Sequence, residues 1–288
     1  MAEPRVRVCL TFDMDGMSGQ LSKSLRLLPS ILSRGEYGLR VGTPRLLALL
    51  ARYNVRSTWF IPGHTADTHP EVAKTVVAAG HEIAHHAYCH EPPAGLSAED
   101  ERWTMEAGIA AIGRLCGRKP RGYRAPSWAL SHATLPMLRE YGFAYDSSLS
   151  MDDHHLHFVR DGDVAAQDGY RFGTDTNLVE VPVTWALDDW EYYAYIPPSP
   201  GRSGIQGGKL PEEVFEVWAG EFDYMYANSA GGVLTLTMHP EVSGRGPRVL
   251  MLERLIQHIR KHPDAELCTV EDAVDAWLGS PAAKKGVA

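Results

Sequence analysis

A short apolar run followed by two carboxylates sets the organisation of this chain: Val6-Arg7-Val8-Cys9-Leu10-Thr11-Phe12-Asp13-Met14-Asp15-Gly16. The first five residues of this stretch predict a buried β-strand. Side chains two residues apart in an extended chain point to the same face, so we expect Asp13 and Asp15 to meet one site where the strand ends. Two neighbouring carboxylates repel each other, and a cation bound near them would remove that repulsion.

Strand-like and helix-like segments alternate through the rest of the chain. This alternation predicts an α/β fold with a mainly parallel sheet or barrel, in which functional residues lie at the carboxyl ends of the strands. Two longer segments, 17–42 and 147–176, have a weak pattern and are expected to be loops. The further segments with strand character are 57–61, 81–84, 122–124, 143–146, 178–183, 232–238 and 265–268.

The composition is that of an ordinary globular protein and argues against two kinds of partner. Of 288 residues, 36 are acidic and 28 are basic, which gives a net charge of −8 and no basic stripe for a nucleic acid. No apolar run reaches the roughly 18 residues that a membrane span needs. The four cysteines lack CxxC spacing and no secretory signal is visible, so we expect free thiols and a cytoplasmic location.

Two histidines after the third predicted strand have the spacing of metal ligands. His86 and His90 are four residues apart, so on one helical turn they would share a face and could bind one metal ion. Together with one aspartate of the pair at 13 and 15 they would offer two nitrogens and one oxygen and leave a position open for water. This set suits a divalent ion: Zn²⁺ is preferred, and Co²⁺, Mn²⁺ or Fe²⁺ would also fit.

Four motifs in order along the chain resemble those of the polysaccharide deacetylase family (NodB homology, carbohydrate esterase 4-like). They are Thr11-Phe12-Asp13-Met14-Asp15-Gly16, Gly80-His81-Glu82-Ile83 with His86 and His90, Tyr123-Arg124-Ala125-Pro126, and Leu236-Thr237-Met238-His239-Pro240. The resemblance covers residues 6–278. More narrowly, the chain resembles the branch that contains PgdA-like peptidoglycan deacetylases, cyclic imide hydrolases and PuuE-type allantoinases. It implies a distorted or incomplete (β/α) barrel and hydrolysis of an amide C–N bond.

The resemblance also implies a role for each motif residue. Asp13 matches the general base that takes a proton from the attacking water, and Arg124 matches the arginine that orients this base. His239 matches the histidine that donates a proton to the leaving amine, a step for which a near-neutral pKa is suitable. The residues that match the metal ligands are Asp15, His86 and His90.

Two positions depart from the common pattern of the family. Met14 separates the two aspartates, which are adjacent in many members, although the spaced form also occurs in the branch named above. Ala87 stands where a serine or threonine usually follows the first metal histidine, which removes a hydroxyl group from that loop. The allantoinase members lack the metal ligands, whereas this sequence retains all three, so it is less similar to them.

Aromatic residues and acids near the motifs could contact a substrate. We predict substrate contacts for Trp128, which follows Arg124 closely, and for Trp185 and Asp188 in an aromatic segment after a strand. The same segment could equally be a hydrophobic lid that packs on the barrel.

Three functions are compatible with these residues. The first is removal of an N-acetyl group from a sugar, as in peptidoglycan, by a metal-activated water. The alternative is a cytoplasmic cyclic imide hydrolase that opens a small ring. The third, a non-catalytic ligand-binding member, is disfavoured because the base, ligands, arginine and histidine are all retained. We expect one catalytic domain over residues 1–280 with a flexible tail over 281–288, and the resemblance suggests a homo-oligomer, with a tetramer as one form.

Overall fold

The computed structural model describes residues 5–21, 29–196 and 205–285. The strands in these ranges are β1 (Val6–Asp13), β2 (Thr58–Ile61), β3 (Glu82–His85), β4 (Gly122–Tyr123), β5 (Tyr145–Asp146), β6 (His157–Asp161), β7 (Val164–Ala166), β8 (Gly169–Arg171), β9 (Thr174–Glu180), β10 (Tyr195–Ile196), β11 (Ile205–Gln206), β12 (Val233–Met238) and β13 (Ala265–Cys268).

The helices surround these strands. They are α1 (Ser18–Leu21), α2 (Pro29–Tyr37), α3 (Thr43–Arg52), α4 (Gly63–Thr68), α5 (Pro70–Ala78), α6 (Ala98–Cys116), α7 (Thr134–Glu140), α8 (Asp189–Tyr193), α9 (Pro211–Asn228), α10 (Pro240–Ser243), α11 (Gly246–Ile259), α12 (Val270–Leu278) and α13 (Pro281–Lys285). A π-helix (Gly38–Gly42) joins α2 to α3, and 3₁₀ helices lie at Pro93–Gly95, Pro126–Trp128 and Trp185–Leu187. No helix in the described ranges is long and apolar enough to cross a membrane.

Nine strands form one curled sheet in the order β12-β1-β2-β3-β4-β5-β9-β6, with β13 also paired to β1. β13 pairs with residues 6–9 of β1 and β2 pairs with residues 11–13, so both lie along the same edge of this strand. β6 is antiparallel to β9, and the other pairs of this sheet are parallel. The predicted α/β architecture with a mainly parallel sheet is therefore confirmed.

The barrel is incomplete, as the resemblance implied. Within the described ranges its outer strands, β12 and β6, do not pair with each other. The chain after β9 partly covers this opening, because Asp188 forms an isolated parallel bridge with Thr237 of β12. Near the other end of β12, the backbone N–H of Val233 donates a bond of 2.8 Å to the carbonyl of His154.

Residues of β1 alternate between the two faces of the sheet. Leu10 and Phe12 pack outwards in a cluster that contains Leu49 of α3 and Leu252 of α11. Cys9 packs on the concave face, where one cluster joins residues of several strands with residues of α12. Because residues two apart share a face, Asp13 continues the Cys9 side and points towards the concave face at the carboxyl end of β1. The other members of the concave cluster include Phe60, Ala84, Tyr145, Val179 and Val270.

The prediction of a loop over 17–42 is wrong for most of its described residues, because α1, α2 and the π-helix occupy 18–21 and 29–42. Gly42, at the end of this segment, weakens the helical pattern of the sequence. A Cβ added to Gly42 would lie 2.0 Å from the carbonyl oxygen of Pro240, so only glycine permits this close approach to α10. Glycine has low helix propensity, which explains why the sequence reads as a loop.

The prediction of a loop over 147–176 is also wrong in part. β6, β7, β8 and the start of β9 form antiparallel pairs in this segment. All residues of β7 and β8 are exposed, so these strands lack the apolar alternation that identifies a half-buried strand.

The expected tail contains a short helix rather than a flexible segment over 281–285. Pro281 occupies the first position of α13, and the N–H of Ala282 donates a bond of 3.2 Å to Ser280 Oγ. Ala283 is buried. Residues 286–288 lie outside the described residues, and the single-domain assignment stays a prediction.

Candidate metal-dependent active site

The carboxyl ends of four strands bring the predicted residues together. Asp13 is the last residue of β1, while His86, Arg124 and His239 directly follow β3, β4 and β12. These strands lie close to one another in the sheet order and run in the same direction, so their ends share one edge. All four side chains are buried. The structure therefore brings these four predicted residues to one edge of the sheet.

Asp15, His86 and His90 form a compact cluster that could hold a metal ion. His90 Nε2 lies 3.2 Å from Asp15 Oδ2, and His86 Nε2 lies 3.6 Å from Asp15 Oδ1. His86 Nδ1 is 2.8 Å from the carbonyl oxygen of Arg124, to which it donates, so its Nε2 is free to bind a metal. Asp15 Oδ1 is buried without a hydrogen-bond partner among the described residues. The donor set and this unsatisfied oxygen fit a divalent cation.

Electrostatics favour the charged form of the carboxylate in this cluster. Burial alone would raise the pKa of Asp15, but the adjacent His90 and His86 imidazoles lower it well below its usual range. The carboxylate is therefore ionised near neutral pH and suits a metal ligand. Burial lowers the pKa of His86, although Asp13 and Asp15 partly offset this effect. A neutral imidazole is the form that binds a metal.

The two histidine ligands converge for a different reason from the one predicted. Residues 86–90 form turns rather than a helix. Ala87 has φ of 57° and His90 has φ of 60°, and these left-handed conformations fold the loop back on itself. Residues other than glycine rarely adopt these left-handed conformations, and those that do often lie at functional sites. The two imidazoles do lie close together beside Asp15, but through turns and not through the shared helical face that was predicted.

Arg124 holds Asp13 at the concave side of the site. Its Nη1 donates to Asp13 Oδ1 and to Thr11 Oγ1, both at 2.8 Å. The guanidinium group lies over the Phe60 ring at 4.0 Å and is completely buried. The second oxygen of Asp13, Oδ2, lies 3.7 Å from His86 Nε2. Asp13 thus has one oxygen bonded to the arginine and one oxygen facing the cluster of candidate metal ligands.

His239 is bonded to an aspartate that the sequence analysis did not select. Its Nδ1 lies 2.7 Å from Asp189 Oδ1, and its backbone N–H donates a bond of 2.8 Å to Asp189 Oδ2. Ser243 Oγ donates a further bond of 2.6 Å to Asp189 Oδ2. Burial opposes a charge on His239, but the charge and hydrogen bond of Asp189, followed by the charge of Asp188, raise the pKa of His239 well above its usual range. These interactions favour the protonated form of the His239 imidazole.

The sequence indicated an acidic residue near Asp189 but did not identify Asp189 as the partner of His239. It is one of two adjacent aspartates after Trp185, and the prediction selected Asp188 instead. In the structure Asp188 accepts the N–H of Trp190 at 2.7 Å and caps α8, with Oδ1 3.9 Å from His239 Nδ1. Burial raises the pKa of Asp188 to about 7. Its predicted substrate contact stays a prediction.

The group Asp188, Asp189 and His239 could also be considered as a metal site because its ligand atoms lie close together. The hydrogen bonds argue against this use. Both oxygens of Asp189 already accept bonds from His239 or Ser243, and His239 Nδ1 takes part in one of them. A cation there would have to displace these bonds, whereas the Asp15 cluster has an unsatisfied oxygen ready for a metal.

The two predicted tryptophans are in contact. The ring centroids of Trp128 and Trp185 are 4.1 Å apart with an interplanar angle of 32°. Ser127 and Trp128 have φ of 56° and 51°, so a strained turn after Arg124 directs Trp128 to this position. Trp185 is 48% exposed, which leaves part of the pair accessible to a ligand.

Glu241 is a further acidic residue beside the site that the sequence analysis did not identify. It follows His239 and Pro240 in α10, and burial together with the charge of Asp15 raises the pKa of Glu241 to about 8. Its Oε2 is buried with no hydrogen-bond partner in the described part of the chain. The nearest sequence signal was its position directly after a recognised motif.

Comparisons with known proteins agree with this architecture. The polysaccharide deacetylase family model matches residues 3–145. The peptidoglycan deacetylase of Helicobacter pylori is 35% identical over 292 residues, which cover 97% of this chain and 99% of that protein. A peptidoglycan deacetylase-like protein of Gibberella zeae is 29% identical, with 96% of this chain and 88% of that protein covered.

A solved structure extends the similarity to the fold. A crystal structure from Mycobacterium smegmatis, assigned to the polysaccharide deacetylases, superimposes with a TM-score of 0.83 and 36% sequence identity. The match covers 96% of this chain and 91% of that chain. This chain therefore belongs to the polysaccharide deacetylase family, a group of hydrolases that act on amide C–N bonds.

Proposed function

We propose that this protein removes an N-acetyl group from an amino sugar with the aid of a divalent metal ion. One observation carries the proposal: an arginine-bound carboxylate, a cluster of two histidines and one aspartate, and a protonated histidine lie at the same edge of the sheet. Hydrolysis of an amide needs a base for the water and a proton for the leaving amine, and these residues supply both.

Asp13 is proposed as the general base. The bond from Arg124 Nη1 fixes one of its oxygens at 2.8 Å. The other oxygen faces the metal-ligand cluster, so it can take a proton from a water positioned there. General base catalysis of this kind typically contributes about 10²- to 10⁴-fold to the rate.

Asp15, His86 and His90 are the residues that would hold the metal. When bound, a divalent ion supplies a Lewis acid that polarises the amide carbonyl and makes water more acidic. Two imidazole nitrogens and one carboxylate oxygen favour Zn²⁺, with Co²⁺, Mn²⁺ and Fe²⁺ as the other candidates. The bond of His86 to the Arg124 carbonyl couples this cluster to the base, because both depend on the same residue.

His239 is proposed as the general acid. Its proton is held by Asp189, which also fixes the ring orientation through the bond to Nδ1. Nε2 then carries the second proton and is available to the leaving nitrogen. Collapse of the tetrahedral addition product would release acetate and the free amine as His239 gives up this proton.

Trp128, Trp185 and Asp188 are proposed as substrate contacts. The two indoles form an aromatic surface that is partly open to solvent. Aromatic faces pack against the apolar faces of sugar or imide rings, while Asp188 could accept a hydrogen bond from a polar group. The names of the bacterial and fungal relatives support a peptidoglycan-type sugar as the substrate class.

The test is a direct comparison of two amide substrates with the metal-loaded protein. We expect acetate release from N-acetylglucosamine oligomers and no opening of a succinimide ring. Ring opening without acetate release would replace the proposal with the cyclic imide hydrolase alternative. The matched control is Asp13→Asn, which keeps the size of the side chain; equal turnover by wild type and this variant would contradict the proposed base.

Location and assembly remain predictions. Four free cysteines agree with the expected reducing compartment, and a homo-oligomer such as a tetramer is expected from the resemblance. Light scattering after size-exclusion chromatography would measure the assembly, and a monomer at micromolar concentration would contradict it.

A further inference from the structure

Two buried carboxyl groups lie side by side next to the base-orienting arginine. Asp146 of β5 and Glu180 of β9 are direct partners across two neighbouring parallel strands, and neither side chain is exposed. Asp146 Oδ1 accepts a bond of 2.7 Å from Ser148 Oγ. Glu180 Oε1 accepts bonds from the backbone N–H groups of Ser148 and Leu149, at 3.0 and 2.9 Å.

Each carboxyl group has a second oxygen without a hydrogen bond, and a proton shared between these two oxygens would satisfy both. Asp146 Oδ2 and Glu180 Oε2 are buried, and among the described residues neither has a conventional donor. Because Asp146 and Glu180 are paired residues on neighbouring parallel strands, their side chains lie next to each other on the same face of the sheet. Two adjacent carboxylates that are shielded from water cannot both be ionised, because repulsion and lost solvation both oppose the second charge.

We propose that Asp146 and Glu180 share one proton and that this pair positions Arg124, and through it the base Asp13. The inference rests on the roles proposed above for Arg124 and Asp13. Neither member of the pair is proposed to touch the substrate, so both are positioning residues.

The chain between the pair and the arginine is short and continuous. Asp146 and Ser148 flank Ser147, whose carbonyl oxygen accepts a bond of 3.2 Å from Arg124 Nε. Ser147 Oγ accepts a second bond, of 3.1 Å, from Arg124 Nη2. Ser148 Oγ, which is bonded to Asp146, also accepts the N–H of Ala125 at 2.9 Å. A shift of residues 146–148 would therefore move the guanidinium group.

The protonation of the two groups agrees with this arrangement. Burial raises the pKa of Asp146 to about 6. Burial and the negative charge of Asp146 raise the pKa of Glu180 well above its usual range. Both directions are those expected of a buried pair that holds one proton between its two carboxyl groups.

Few other charges face the pair. Arg124 and Tyr123 come from β4, and His157 is the strand partner of Glu180 on β6. From α7, which packs on β9, Arg139 is already paired with Asp161. None of these groups is an unpaired cation beside Glu180, so loss of its proton would leave two repelling carboxylates.

The sign of the pH effect follows from the raised pKa. The protonated form of Glu180 is favoured in the folded state, so its contribution to stability is present at low pH. This contribution is lost as the pH rises through the pKa of the folded state. Deprotonation should loosen residues 146–149 at alkaline pH.

Isosteric variants test the shared proton without reference to activity. In Asp146→Asn, the amide N–H can donate a hydrogen bond to an ionised Glu180. In Glu180→Gln, the amide N–H can donate to Asp146. Both variants therefore keep a hydrogen bond between the two side chains but lack the shared carboxyl proton. We expect the infrared carbonyl band of a buried protonated carboxyl to weaken in both variants. The alkaline decrease in the free energy of unfolding should also be smaller than in wild type. Glu101→Gln is the control, because Glu101 is a buried acidic residue whose carboxyl oxygens accept hydrogen bonds from Ser131 and Thr134, outside residues 146–149.

The positioning role is tested with the metal-loaded enzyme. Asp146→Ala should lower kcat about 10- to 100-fold, with little change in KM or metal content, since small displacements of catalytic groups have effects of this size. Asp146→Asn should restore most of kcat. Unchanged kcat in Asp146→Ala would overturn the positioning role. An undiminished carboxyl band in both isosteric variants would overturn the shared proton, even if the alanine variant does not fold. An inactive wild type with the expected band changes would instead count against the proposed function alone.

Discussion

His86 and His239 are both buried at the carboxyl edge of the sheet, but their surroundings give them opposite protonation states. Burial lowers the pKa of His86, and the charges of Asp13 and Asp15 only partly offset it. Burial also disfavours a charge on His239, yet the direct bond to Asp189 raises its pKa well above the usual range. At comparable burial, a directly bonded carboxylate thus shifts the pKa of His239 in the opposite direction from that of His86, which suits the different roles proposed for the two histidines.

The two regions around these histidines are also assembled differently. The ligand region gathers residues that follow β1 and β3, with the base held by Arg124 after β4. The donor region depends on a contact between β12 and α8, whose residues are 50 positions apart in the chain. One region can therefore be damaged without the other, which makes their separate roles measurable.

Loss of a histidine from the ligand region should have the largest effect. In His86→Ala and His90→Ala, we expect the bound metal and the activity to fall to background, because only Asp15 and one imidazole would remain. Elemental analysis after loading with Zn²⁺ and an acetate-release assay measure the two quantities.

A second histidine pair, partly buried and away from the motif residues, provides the control for this change. His258 and His262 have the same spacing of four residues, but His258 Nε2 is 2.7 Å from Asp223 on α9. His258→Ala should keep the metal content and activity of wild type. If His86→Ala retained as much metal as His258→Ala, the ligand assignment would be wrong.

Loss of the histidine from the donor region should separate metal binding from catalysis. In His239→Ala we expect full metal content and a decrease in kcat of about 10²- to 10⁴-fold, the usual contribution of a general acid. Elemental analysis measures the metal content, and the acetate-release assay measures kcat. Loss of the metal in this variant would show that the regions are not independent.

A change of the partner aspartate should move the pH dependence rather than abolish activity. In wild type His239 is protonated up to a raised pKa, so activity should fall as the pH rises through that value. Asp189→Asn removes the charge that raises it, and we expect the alkaline limb of kcat/KM to move down by about 1–3 pH units.

The neighbouring aspartate is the matched comparison for this shift. Asp188 Oδ1 is 3.9 Å from His239 Nδ1, against 2.7 Å for Asp189 Oδ1, so Asp188→Asn should give a smaller displacement. The free energy of unfolding of wild type should also lose the His239 contribution as the pH rises through the folded-state pKa. Equal alkaline limbs in wild type and Asp189→Asn would refute the assigned partner.

The smallest effect is expected for the aromatic pair beside the donor region. Trp185→Ala removes one ring of the contact with Trp128, and we expect KM to rise about three- to tenfold with kcat little changed. Trp103→Ala is the control, because Trp103 is exposed on α6 and packs on Tyr88. An unchanged KM in Trp185→Ala would favour the alternative of a lid that makes no substrate contact.

Much of the site could be predicted from the sequence because its residues follow strands directly. Asp13, Arg124 and His239 are placed by the register of β1, β4 and β12, and a parallel sheet brings such positions to one edge. The helices within 29–42 could not be predicted, since Gly42 is required by close packing on Pro240 rather than by local propensity. The exposed strands β7 and β8 carry no burial pattern to detect.

The sequence by itself determined which residues are candidates for the base, the metal ligands and the proton donor, because each lies in a motif that resembles one of the family. Only the tertiary structure decided how they work together. Left-handed backbone at Ala87 and His90 turns the ligands inward, Asp189 reaches His239 across a gap of 50 residues, and Glu180 meets Asp146 through the sheet order. These features depend on contacts between distant segments, and local spacing carries no information about which segments become neighbours.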